Sequence, residues 1–281
     1  MSDLGERLRQ TLGSGVRSVA AVGGGHGATV WRCELEDGGV VAVKSAPRLL
    51  TSEGRMLRDL AGKSPVPFPA VHFSDDTLLV TDWIDNDASP LDDAGQGQLA
   101  EALAVLHANT HSDYGYDYDV MIGGMPQINE RQPDWRTLFL EKRLLTAAFL
   151  ANRNGNLPLA SLRLVERFVV QCGGLVPEPS RPALLHGDLW SGNVLTRGGR
   201  PVGLIDPAIY FGHPEMDLAF SEMFGGFGPA FLDRYRELAR LEPGYAERRE
   251  IWNLWPLLVH AYLFGQSYAG SVTHVLSRYV R

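Results

Sequence analysis

Leu184–Asp206 reads LLHGDLWSGNVLTRGGRPVGLID. Leu184 and Leu185 lead into a polar loop, His186-Gly187-Asp188-Leu189-Trp190-Ser191-Gly192-Asn193. Val194 and Leu195 lead out, Arg197–Arg200 supplies a turn, and Pro201–Ile205 is a second apolar run ending at Asp206. Bounded apolar runs of this length suit short buried strands. The expected product is a small hairpin that presents Asp188, Asn193 and Asp206 in one cleft.

Those three residue types suit phosphoryl transfer. A hydroxyl nucleophile needs a carboxylate to orient it and accept its proton, and Asp188 is placed for that. ATP brings Mg²⁺, a hard cation that prefers oxygen ligands. Asn193 offers an amide oxygen and Asp206 a carboxylate, in the order that kinases use. Any one of these residues alone would be an ordinary turn or strand end. The ordered set H-G-D-x-x-x-x-N with a later I-D is far more specific.

Upstream, Leu4, Leu8 and Leu12 mark a short amphipathic helix. Ser18–Val22 and Thr29–Leu35 read as strands flanking Gly23-Gly24-Gly25-His26-Gly27. In the second strand Trp31, Cys33 and Leu35 share one face, and Arg32 and Glu34 the other. Backbone amides in such a glycine loop lie over phosphates without side-chain interference. No Lys-Ser/Thr pair follows, so this is not a Walker loop. Val40–Lys44 is a third strand ending in lysine, one hairpin after the loop, where a kinase places its phosphate-binding lysine. Glu53 follows on a helix with Met56, Leu57 and Leu60 on its apolar side, and is a candidate partner for Lys44. Ala70–Phe73 and Leu78–Asp82 complete a five-stranded antiparallel sheet. Asp82, Trp83 and Ile84 then leave the sheet as a hinge whose backbone would meet adenine.

Past the hinge the pattern turns helical. Leu99, Leu103 and Leu106 share a helix with His107, which reads as a structural histidine. The stretch 110–131 has no clear period and reads as a long ordered loop. Helices are expected from Trp135 through Leu144, over Pro158–Cys172, and over Ala230–Leu241, Ala246–Gln266 and Ser271–Arg281. Asp217 opens another, where an acid could accept backbone N–H bonds from the catalytic loop and hold it. The fold class is therefore α+β and bilobal. Residues 1–84 form an ATP-binding lobe with a five-stranded antiparallel sheet plus helix. Residues 85–281 form a mostly helical catalytic and substrate-binding lobe that carries the catalytic hairpin, with the ATP site between the lobes.

The bulk properties agree. A chain of 281 residues is too long for one small core and suits two lobes or one large domain. Its net charge of −7 gives no support for binding nucleic acid or anionic membrane lipid. The only cysteines, Cys33 and Cys172, make neither a disulfide framework nor a metal-ligand spacing. The most apolar late stretch, 251–264, is interrupted by Asn253, Pro256 and His260 and is too short to span a bilayer. The polar N-terminus lacks the apolar core of a signal peptide, so a cytoplasmic location is expected.

The chain resembles the fructosamine kinase (ketosamine-3-kinase) family, a branch of the protein-kinase-like fold near the aminoglycoside phosphotransferases. The matching stretches are His186–Asn193, Ile205-Asp206-Pro207-Ala208, and Gly212-His213-Pro214-Glu215-Met216-Asp217-Leu218-Ala219. Glu222–Phe227, the helix with Arg143, Ile122–Asn129 and Leu257–His260 also match. The D-L-W-S-G-N form with D-P-A and F-G-G-F singles out this family among kinase-like enzymes. The resemblance implies ATP- and Mg²⁺-dependent phosphorylation of the sugar 3-hydroxyl of a ketosamine, small or protein-bound, in deglycation. It implies Asp188 as base, Asn193 and Asp206 as metal ligands, and Lys44, paired by Glu53, on the phosphates. Gly23, Gly24, Gly25 and Gly27 would cover the phosphates, and Asp82–Ile84 would contact adenine. His186 and Asp217 support the loop. Trp190, Phe224, Phe227 and Trp255 are candidate sugar-stacking rings. Many relatives carry cysteine in the glycine loop where this chain has His26, so no redox switch is expected there. The rival readings are an aminoglycoside- or choline-type phosphotransferase, which would share every ATP residue, and a non-enzymatic ATP-binding scaffold, which the joint presence of Lys44, Asp188, Asn193 and Asp206 opposes.

Overall fold

Alternation along three strands builds the first apolar layer. Cys33 and Leu35, Val41 and Val43, and Leu78 and Val80 all point to one face of a sheet and are buried, with Trp31 partly buried beside them. Leu8 is fully buried on that face, with Leu4 and Leu12 packed against the cluster. This is why a helix with apolar residues four apart precedes the sheet. Burying Leu8 stabilises the fold by about 2 kcal/mol.

The computed structural model describes residues 2–24, 27–47, 50–239, 241 and 243–280. The elements of this first part are α1 (Ser2–Leu12), β1 (Val16–Gly23), β2 (Thr29–Leu35), β3 (Val40–Ser45), α2 (Leu50–Leu60), β4 (Val71–Ser74) and β5 (Leu78–Asp82). The five strands form one sheet in the order β1-β2-β3-β5-β4, every pair antiparallel, as expected. Helix α2 packs on β4 and β5 at close range. A Cβ on Gly54 would lie 2.5 Å from the Ser74 side chain, so glycine lets the helix approach.

By compactness the chain forms two units: Met1–Asp92 with Asn193–Pro207, and Asp93–Gly192 with Ala208–Arg281. The sequence reading draws one boundary after Ile84. The structure instead carries the first unit on to Asp92 and adds to it the hairpin of β9 (Val194–Arg197) and β10 (Arg200–Leu204), which pair around Gly198 and Gly199. Both glycines have positive φ, 55° and 75°, as a tight two-residue hairpin turn requires. Hydrogen bonds explain the assignment. Leu204 donates its N–H to the Pro67 carbonyl at 2.9 Å, and Asp87 N–H reaches the Thr196 carbonyl at 2.9 Å. Asp87 accepts from Gly198 N–H at 3.0 Å, Ser89 Oγ accepts from Gly199 N–H at 2.9 Å, and Arg200 pairs with Asp92. The polar segment 85–92 is thus a strap that ties the hairpin to the sheet unit.

The second unit is mostly helical: α3 (Asp93–His107), α4 (Thr146–Arg153), α5 (Leu159–Cys172), α6 (Glu215–Met223), α7 (Pro229–Ala239), α8 (Tyr245–Trp252), α9 (Leu254–Phe264) and α10 (Gln266–Leu276). The helix expected from Trp135 forms as a wide π-type turn over Thr137–Leu145 that runs into α4. Asp134 and Glu178 cap its start by accepting from the N–H groups of Thr137, Trp135 and Arg136. The continuous helix expected over 246–266 is broken after Trp252, and Gly265 with φ 92° separates α9 from α10. Pro256 lacks an N–H and falls in the first turn of α9, where none is needed. The stretch 110–131 contains a hairpin, β6 (Val120–Ile122) and β7 (Met125–Gln127), joined by Gly123-Gly124. Leu184–Leu185 does not pair with β9 or β10. Its strand, β8 (Ala183–Leu185), pairs with β11 (Tyr210–Gly212), so the quoted stretch contributes to two small sheets rather than one hairpin. Among the described residues no helix is long and apolar enough to cross a membrane.

Candidate active site

Lys44 is the penultimate residue of β3, on the sheet face opposite α1. Its Nζ donates to both carboxylate oxygens of Glu53, at 2.9 and 2.8 Å, and to Asp206 Oδ1 at 2.8 Å. Burial alone would favour a neutral amine. The carboxylates of Glu53 and Asp206 outweigh it and hold Lys44 protonated, well above the ordinary lysine range. Burial raises Glu53 above the usual carboxylate range, Lys44 opposes that, and Asp206 reinforces it. One cation between two carboxylates leaves a local excess of negative charge.

Asp206 reaches Lys44 because the β9–β10 hairpin returns the chain. Ile205 N–H donates to the Asn193 carbonyl at 3.0 Å, so Asn193 and Asp206 lie at the open end of the same hairpin. Asp206 has φ 51°, an uncommon conformation for a non-glycine residue and one that aspartate tolerates better than most. Asn193 is buried in a short turn, Ser191–Asn193. Both offer oxygen donors. Among the described residues no three His, Cys, Asp or Glu side chains gather as a metal cage. Oxygen donors of this kind are what a hard cation such as Mg²⁺ would take.

Of the glycine loop, Gly23 pairs with Val30 at the end of β1. Gly24 and Gly27 have positive φ, and a Cβ at Gly24 would collide with the Ala28 carbonyl at 2.1 Å. Gly25 and His26 lie outside the described residues. At the hinge, the Asp82 carboxylate accepts from Ala70 N–H and pairs with His72, Trp83 Nε1 donates to Asp85, and Ile84 packs over Gly203. These side chains hold the segment's shape.

The second unit carries the His-Gly-Asp loop. Asp217 is buried and accepts from His186 N–H at 2.8 Å (Oδ2) and from Gly187 N–H at 2.9 Å (Oδ1). Gly187 has φ 82°, and a Cβ there would sit 1.9 Å from the Ala208 carbonyl oxygen, so no other residue fits. His186 Nδ1 accepts from Asp188 N–H at 3.3 Å. His107 bridges the Tyr235 hydroxyl, at 2.7 Å, and Asp217 Oδ2, at 3.2 Å. Helix α6 is fixed in turn by Glu215, which pairs with Arg248 through two bonds at 2.5 and 2.9 Å and accepts from Trp252 Nε1 at 2.7 Å. Behind the loop, Gln127 and Asn129 donate to the carbonyls of Ala208 and Ile209, and fully buried Arg143 donates to Ile128 O and Asn129 Oδ1. That is the work of the stretch read from sequence as a loop.

His213 is buried against Trp252, with ring centroids 4.9 Å apart, and its Nδ1 accepts from Glu215 N–H. Burial first, then the charges of Arg248 and His107, lowers its pKa to about 3. The folded chain keeps His213 neutral at pH values where the unfolded chain protonates it. Stability from this group is therefore complete above about pH 6.5 and falls as pH drops toward 3, by up to about 1.4 kcal/mol per pH unit. In denaturant titrations between pH 4 and 7, His213→Asn is expected to flatten the acid-side slope by that amount. Parallel curves for the two proteins would contradict it.

The four ring residues separate. Trp190 and Phe224 are exposed, at 37% and 44%, with their rings edge-to-face at 6.3 Å. Phe227 is half-buried on Phe231. Trp255 is 3% exposed, beneath the Arg143 guanidinium, and so cannot stack on a sugar. The apolar run around it signals core rather than surface.

A sheet that holds a strand-end lysine against a helix glutamate, with a helical unit that holds a His-Gly-Asp loop, defines the protein-kinase-like class of fold. A family model described as fructosamine kinase matches residues 5–281, and the chain belongs to that family. It is 37% identical over 211 residues to a protein named as a probable ketoamine kinase in Enterococcus faecium, covering 73% of each chain. It is 31% identical over 281 residues to a chloroplastic protein-ribulosamine 3-kinase of Oryza sativa subsp. indica, covering 95% of this chain and 80% of the other. A crystal structure provisionally named as a fructosamine-3-kinase of Thermobifida fusca superposes with a TM-score of 0.90 at 32% identity, covering 99% of this chain and 98% of that one. An aminoglycoside phosphotransferase, at 17% identity and a TM-score of 0.70 over 98% and 97% of the two chains, shares the fold alone.

Proposed function

We propose that the chain transfers the γ-phosphoryl group of ATP to the sugar 3-hydroxyl of a ketosamine, free or protein-bound. The observation that carries the phosphotransferase reading is the Lys44 ammonium held by Glu53 and Asp206. Lys44 is thereby protonated and aimed, as phosphate binding requires, and Asp206 is oriented beside it. Family membership and the ketoamine and ribulosamine kinase names of its relatives support the ketosamine as acceptor.

In this reading residues 1–84 supply the nucleotide contacts. The amides of Gly23, Gly24, Gly25 and Gly27 cover the phosphates, Lys44 pairs with them, and the backbone of Asp82–Ile84 meets adenine. Asn193 and Asp206 would hold Mg²⁺, which supplies neutralising charge at the phosphates when bound. Residues 85–281 supply the acceptor chemistry, apart from the hairpin that folds with the sheet unit. Asp188 orients the acceptor hydroxyl and takes its proton, while His186 and Asp217 hold the loop. Positioning and charge neutralisation do most of the catalysis in such a transfer.

The test is ATP consumption with Mg²⁺ against fructosyl-, ribulosyl- and erythrulosyl-amines, with an aminoglycoside and choline as controls. Turnover confined to the ketosamines is expected. Turnover with a control alone would replace the acceptor while keeping the nucleotide residues.

A further inference from the structure

Of the 26 lysine and arginine residues in the chain, only Lys44, Lys63 and Lys142 are lysines. A lysine amine in its neutral form adds to an aldehyde, whereas a guanidinium stays charged and does not. Surface ion pairs that either cation could make are made here by arginine: Arg7 with Asp75, Arg234 with Glu101, and Arg278 with Glu250. The side-chain amines that an aldose could reach therefore number three at most.

Two of the three are engaged. Lys44 Nζ donates to both carboxylate oxygens of Glu53 and to Asp206, and its side chain is 20% exposed. Lys142 Nζ donates to Glu130 Oε2 at 2.6 Å. Lys63 differs: among the described residues its ammonium takes part in no hydrogen bond or ion pair. It is half-buried in the turn that follows α2, between exposed Gly62 and exposed Pro65. Gly62 has φ 72°, and a Cβ there would meet nothing within 4 Å, so the turn stands clear of its surroundings.

We infer that Lys63 is the chain's own modification site for open-chain aldoses, labelled in preference to Lys142 and in place of Lys44. The neutral Nζ attacks the aldehyde carbon, one water leaves, and an imine forms. The C2 hydrogen then moves as a proton to nitrogen, and the C2 hydroxyl proton moves to C1. This leaves a ketone at C2 and a secondary amine on C1. C1 is reduced as C2 is oxidised, so the aldose is the one co-reactant. The product is a ketosamine borne on protein, the acceptor class of the proposed function. Glu53 lies in the first turn of α2 and Lys63 beyond its last, so the adduct forms at the far end of that helix from the Lys44 pair. The labelling needs no turnover and is independent of the proposed function.

The experiment incubates the full chain with ribose, reduces the adducts with borohydride, and maps them on the lysine side chains by peptide mass spectrometry. Lys63 is expected to carry about threefold more adduct than Lys142, the protection an exposed ion pair gives, and Lys44 none. Lys63→Arg should remove the larger share of the lysine adduct. Glu130→Gln should raise Lys142 to the level of Lys63, because it removes the bond that distinguishes them. Adduct spread evenly over the three lysines, or found mainly on Lys44, would overturn the inference. So would a Lys142 signal that does not respond to the loss of Glu130.

Discussion

Asp188→Ala is expected to lower kcat for the ketosamine by about 10²–10⁴-fold, the usual worth of a positioned general base, while ATP binding changes little. The nucleotide contacts proposed above belong to other residues. Lys44 keeps its two carboxylate partners, Glu53 and Asp206, when Asp188 is removed. Gly187 is forced into its conformation by the Ala208 carbonyl, so the turn that presents residue 188 persists. Steady-state kinetics together with nucleotide titration by calorimetry separate the two quantities. Turnover within tenfold of wild type would remove Asp188 from the role of base. Lost nucleotide affinity with unchanged kcat would move Asp188 to the metal instead.

The second large effect belongs to Asp217→Asn. Asp217 satisfies two backbone N–H groups and His107 with two oxygens, all buried. An amide keeps one oxygen and turns the other position into a donor that faces a donor. The lost charge-assisted bond and the stranded N–H cost about 3 kcal/mol together. For a chain of this size that lowers Tm by roughly 6–10 °C. The loop carrying Asp188 loosens with it, so kcat falls at least about tenfold while KM for ATP stays nearly constant. Thermal melts and initial rates on the same preparation test both. An unchanged Tm would show that the amide rotates to a satisfied geometry. An unchanged kcat would show that Gly187 and Ala208 hold the loop by themselves.

Much of this site was legible in the chain because it lies in short contiguous stretches. The strand that ends in Lys44, the helix that starts near Glu53 and the H-G-D-x-x-x-x-N run each follow local rules of periodicity and turn chemistry. Strand alternation and the 4-8-12 leucine spacing led to the observed sheet and its covering helix. The hairpin at Gly123-Gly124, inside the stretch read as a loop, was hidden because strands of three residues are too brief to show a period. The break between α8 and α9 was hidden because Asn253 is tolerated within helices and Pro256 marks a start as readily as an interruption.

Other features depend on residues far apart in sequence. Glu215, Arg248 and Trp252 form one buried group only after α6 and α8 pack. Phe224 meets His260 only where α9 packs beside the turn at 224–227, and Trp255 drops out because Arg143 covers it. The strap of Asp87, Ser89 and Asp92 moves the Asn193–Pro207 hairpin into the sheet unit, contrary to chain order. By itself, then, the sequence determined the elements, the family and the residue types available for phosphoryl transfer, since those depend on neighbours a few positions away. Only the tertiary structure decided that Lys44 lies between Glu53 and Asp206, that Asp217 holds the loop by two N–H groups, and which rings stay in solvent. These partners lie from 9 (Lys44–Glu53) through 31 (His186–Asp217) to 162 (Lys44–Asp206) positions apart, so the pattern nominates candidates and packing completes the bonds.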